Sequence, residues 1–158
     1  MSKKRFRLIL AFYLIIMQIA VNVYLNKYNI NIDFIFLILI FIASKGNFLK
    51  LMTFATLIGW ATDLLNSHVI GVFGFSRVLI AYVIFEIIAV IDFKRLSFTF
   101  IFVFLSLAIS NFVANLFLLF INDYGLSVTM IIYQPLLTGM FAVLLLSSDR
   151  IKKTINVY

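Results

Sequence analysis

Asp63, Arg77 and Glu86 stand within "LIGWATDLLNSHVIGVFGFSRVLIAYVIFE", Leu57 to Glu86, a stretch whose other members are mostly apolar or small. Ionisable groups in such surroundings pair, relay protons or hold a charged ligand, because an isolated charge there is costly. Asp63 ends one predicted helix, and Arg77 enters the next after the loop "NSHVIGVFG", so the two are expected to pair or to snorkel to the surface. A functional contact is the alternative for both. Glu86 follows Arg77 by nine residues and points about 180° away on the same helix. Its expected partner is Tyr82 or another helix, with proton or ligand handling as the alternative.

The inventory for catalysis is thin. His68 is the only histidine and there is no cysteine, so no zinc set can be completed. A serine-type intramembrane protease needs serine and histidine on facing helices, and an aspartyl type needs two aspartates at matched depth, of which only Asp63 qualifies. No glycine-rich loop precedes a GK[ST]. The expected protein is not an enzyme and carries no cofactor or metal.

Other polar side chains recur at helical spacing: Gln18 with Asn22, Asn111 with Asn115, and Gln134 with Thr138. With Thr56, Asp63, Arg77 and Glu86, the residues Asn111, Asn115 and Gln134 form a candidate intramembrane polar network, chiefly through hydrogen bonds between helices. Thr56, Gly59 and Asp63 share an arc of about 60°, a small and polar stripe suited to close helix approach, with Thr53 further round. Pro135, the only proline, predicts a kink that frees a carbonyl, which then needs another donor.

The elements that must position these groups follow from composition. Of 158 residues, 65% are hydrophobic and 12% charged, and mean hydropathy is +1.16. Such a chain reads as an all-α integral membrane protein, one domain over residues 1–158, with no separate soluble domain. Six apolar segments are predicted to cross the bilayer: 8–25, 32–44, 48–65, 74–91, 97–121 and 127–147. The second reaches only about 20 Å of a roughly 30 Å hydrocarbon core, so it is either short or begins before Asp33. The first, after Lys3, Lys4, Arg5 and Arg7, imitates a signal peptide but lacks a cleavage site and reads as a retained helix.

With both termini cytoplasmic, eleven of the thirteen Lys and Arg residues fall on the inner side, Lys45, Lys50, Lys94 and Arg95 among them, leaving only Lys27 and Arg77. A re-entrant hairpin of the second and third segments would bury Lys45 and Lys50, so six crossings are expected. The net charge of +7 then forms a basic inner face for anionic lipid or a cytoplasmic partner; no nucleic-acid module is present. Tyr24, Tyr28 and Tyr124 fall where an interfacial belt is expected.

The run "GWATDLLNSHVIGVFGFSRVLIAYV" resembles the central signature of the bacterial rod shape-determining MreD family: a glycine, an aspartate-leucine pair ending a helix, a glycine-containing loop, then a helix with a leucine and an Ala-Tyr pair. The matching positions are Gly59, Asp63, Leu64, Gly71, Leu79, Ala81 and Tyr82. Length, six spans, a basic N-terminus and cytoplasmic ends extend the resemblance over nearly the whole chain, while Arg77 and Glu86 have no assigned place in it. The resemblance implies a multi-pass plasma (inner) membrane scaffold of peptidoglycan elongation and cell shape. It would bind MreC and, directly or through it, the MreB filament, the glycosyltransferase RodA and its transpeptidase partner. It also implies a compact bundle similar to the substrate-binding components of energy-coupling-factor vitamin transporters. The alternative is such a transporter component, with Asp63, Arg77 and Asn115 lining an outward cavity. The short outer loops "NKYNIN", "NSHVIGVFG" and "NDYGLS" favour the scaffold.

Overall fold

A computed structural model describes residues 3–25, 27, 31–44, 46–65, 71–88, 96–122 and 127–147. These form an all-helical bundle: α1 (Lys3–Leu25), α2 (Phe34–Ala43), α3 (Phe48–Leu65), α4 (Val72–Ile88), α5 (Leu96–Asn122) and α6 (Gln134–Ser147), the last entered through a π-helical turn at Thr129–Tyr133. Among the described residues one stretch, Leu96–Ile121 of α5, is long and apolar enough to cross a membrane; Phe12–Leu25, Phe34–Ala43 and Thr129–Leu145 are apolar but shorter. His68, Tyr28, Tyr124, Lys45, Lys94 and Arg95 lie outside the described residues.

The shortest helix is the central one. Seven of the ten residues of α2 are buried, and it packs on α1, α3, α4 and α6. Phe36, Leu39 and Ile40 meet Leu51, Ala55 and Ile58 of α3, Ile80, Ala81 and Ile84 of α4, Val103 and Leu107 of α5 and Ala142 of α6 in the main core. By contrast α1 is peripheral, with Leu14 buried while Phe12, Ile16, Ile19 and Val23 face outward.

Chain breaks around α2 are chemically specified. Asp33 caps its start by accepting from Phe36 N at 3.0 Å. At its other end Gly46 adopts φ 67° and donates to the Ala43 carbonyl, the left-handed stop that glycine permits. Asn47 follows at once as the side-chain cap of α3, accepting from Lys50 N at 3.1 Å.

The α3–α4 hairpin rests on two glycines. A Cβ built on Gly59 would stand 2.2 Å from Gly74 Cα, so the expected small stripe of α3 is a backbone-to-backbone contact. Thr56 adds nothing across that gap; its hydroxyl bonds back to the Met52 carbonyl at 2.9 Å.

Candidate functional site

Three clusters of polar side chains lie inside the bundle, and each answers a need of the backbone. The first surrounds the start of α2. Gln18 Oε1 accepts from Phe34 N at 2.7 Å, and Asn22 bonds both N–H and C=O of Ile32 at 2.9 Å. Residues 32–34 therefore run beside the last two turns of α1, and α2 begins about 10 Å inward from the end of α1. Non-helical backbone buried inside the bundle is tolerable only because side chains satisfy it. Asp33 N completes the set by donating to Thr138 Oγ1 of α6 at 3.0 Å, and that hydroxyl in turn donates to the Gln134 carbonyl.

Here the expected ion pair is corrected. Arg77 Nη2 donates to Asp33 Oδ2 at 2.6 Å, with 5% and 2% of the two side chains exposed. The reason is depth. Arg77 lies five residues into α4, about 8 Å from its start, which matches the set-back of Asp33, whereas Asp63 is two residues from the end of α3. Asp33 is also a second fully buried aspartate, where Asp63 alone was expected at depth. A charge-assisted contact this short is strong only while both partners remain, because a single buried charge costs several kcal/mol.

Asp63 makes the second cluster with backbone donors instead. Its carboxylate accepts from Gly71 N at 2.8 Å, Phe73 N at 2.9 Å and Gly74 N at 3.3 Å. Gly71, at φ +104°, begins α4 and has no side chain with which to cap it. The aspartate from the preceding helix supplies both the missing acceptor and a negative charge at the positive end of the helix dipole. This accounts for Gly59, Asp63 and Gly71 of the signature. Ala81 is core, while Leu64, Leu79 and Tyr82 face outward, Tyr82 against the ring of Phe48.

The third cluster joins α5 to the start of α6. Gln134 N reaches back to the Thr129 carbonyl in the π-helical register, so the next carbonyl, that of Met130, would take the N–H of residue 135. Pro135 has none. Asn111 Nδ2 donates there instead at 2.7 Å, and also to Gln134 Oε1 at 3.2 Å. Asn115 bonds the Asn111 carbonyl and accepts from Ser127 N. The freed carbonyl anticipated from Pro135 has thus found its donor.

Glu86 joins none of these clusters. It is exposed near the far end of α4, as is Tyr82, and no hydrogen bond between them is formed, so the expected partnership with Tyr82 is corrected. Among the described residues no three His, Cys, Asp or Glu side chains gather as a metal set. Sequence reasoning missed Asp33, Asn22 and Gln18 as one unit, although Asp33 directly before an apolar run is a recognisable cap signal. Comparison of the chain with protein-family models, curated proteins and solved structures finds no match.

Proposed function

We propose that the chain is a six-span membrane scaffold of the MreD kind, with both termini cytoplasmic, that binds an MreC-like bitopic protein in the machinery of lateral wall elongation and does no chemistry itself. The observation that carries this reading is the use of Asp63. The signature's aspartate is consumed by three backbone donors across the Gly71 turn, which is the work of a residue that fixes a fold rather than one that meets a substrate. The other buried carboxylate is engaged likewise, Asp33 by Arg77 and by the cap of α2. An exterior of Phe12, Leu57, Leu64, Phe120 and Leu144, all more than 60% exposed, supports burial of the bundle in lipid. The central place of α2 supports six spans despite its ten residues, since a helix wrapped by others need not match the bilayer.

The transporter reading requires Asp63, Arg77 and Asn115 free to meet a ligand. Two of the three are occupied, and only Arg77 has a donor to spare. The experiment is crosslinking of the tagged chain in its native membrane followed by identification of what copurifies. Recovery of a bitopic coiled-coil protein with wall synthases is expected. Recovery of paired ATPases with a coupling subunit overturns the scaffold in favour of transport.

A further inference from the structure

Arg77 has one guanidinium nitrogen more than the ion pair uses. Nη2 holds Asp33, but Nη1 is fully buried and, among the described residues, is the one buried side-chain nitrogen or oxygen without a hydrogen-bond partner. An orphaned charged donor at that depth is expensive, and native structures satisfy such groups, with ordered water or a bound molecule where the chain supplies nothing. Because the guanidinium is planar, Nη1 lies beside the carboxylate that caps α2, at the amino end of a ten-residue helix. The unused donor thus sits on the group that grips the cap of α2, a helix start whose Phe34 and Phe36 N–H groups are already taken.

We propose that Arg77 Nη1 binds a neutral oxygen acceptor, either a water molecule or an uncharged carbonyl or hydroxyl oxygen of a lipid. Charge selects this class. Asp33 already opposes the guanidinium, and a second carboxylate, Asp63, bonds Gly74 N less than one turn from Arg77. Those two carboxylates against one guanidinium already leave the region net negative, so a further anion is repelled, whereas a neutral oxygen satisfies the donor without adding charge. Asp33 retains unused lone pairs toward which a water or hydroxyl could donate in return. Oxygen at this point would tie α2 to α4 through a group that can exchange.

Solid-state NMR of the full chain, uniformly 13C- and 15N-labelled, in vesicles of perdeuterated and then protonated phosphatidylglycerol and phosphatidylethanolamine, tests this. The Arg77 signal is the one lost in Arg77→Lys. Transfer from water protons to Nη1 in perdeuterated lipid supports the site with water as occupant. Transfer that requires protonated lipid supports it with a lipid oxygen. Correlation of Nη1 only with carbonyl carbons of the chain overturns the proposal, as does a shift of the signal on adding chloride or phosphate, which would make the site anionic. Should Arg77→Lys fail to fold, specific assignment through 13C-labelled Ser76 gives the same readout.

Discussion

Asp33 and Arg77 oppose each other inside the bundle, and the energetics of such a pair are asymmetric. Removing one member strands a buried charge, at a cost of about 3–5 kcal/mol, while removing both strands none. Arg77→Ala and Asp33→Ala are therefore each expected to lower the melting temperature in detergent, followed by the fluorescence of Trp60, and the double variant should lose less than the sum. Exchanging charges between Asp63 and Arg77 should give no recovery, because Asp63 serves the backbone at the start of α4. Glu86→Gln, at an exposed position, should leave melting unchanged. Recovery in the 63/77 exchange would show that the pairing of Arg77 with Asp33 is wrong.

At the scale of the element, the clearest unit is the joint between α5 and α6. Asn111→Leu leaves the Met130 carbonyl and the Gln134 side chain without their donor, a loss of about 1–3 kcal/mol. Pro135→Ala restores an N–H one π-helical turn from that carbonyl, so it should recover part of the loss in the Asn111→Leu background and do little alone. A double-mutant cycle on melting temperature measures this, and an additive cycle would deny the link. Much of this level was legible in the sequence. The predicted third segment coincides with α3, and the expected need of a donor near Pro135 is met. What escaped was depth. The second segment was about 10 Å too short for its task, and that shortfall falls at its Asp33 end; carried through, it places Asp33 opposite Arg77. Helical period reveals which face a residue occupies, but how far each helix is displaced along its neighbours depends on packing between distant parts of the chain. Glu86 illustrates the same limit, since nothing local distinguishes a buried face of α4 from an outward one.

For the whole molecule, the organising fact is a short helix in the middle whose lead-in is sustained by side chains from α1 and α6. Its longest ties span most of the chain: Thr138 meets Asp33 across 105 positions and Arg77 meets it across 44. A chain is made in order, at roughly 5–20 residues per second. Asp33 therefore waits roughly 2–9 s for Arg77 to be synthesised, and longer for Thr138. Throughout that interval α2 is a ten-residue segment with an unanswered carboxylate at its head, a poor candidate for release on its own. On the six-span reading proposed above, the nascent chain should hold its first three helices beside the insertion machinery until α4 arrives and draws them in. An arrest-peptide force profile should show a pull as Arg77 enters, absent in Arg77→Ala; a profile unchanged by that substitution would mean that α2 commits to its place before its partner exists.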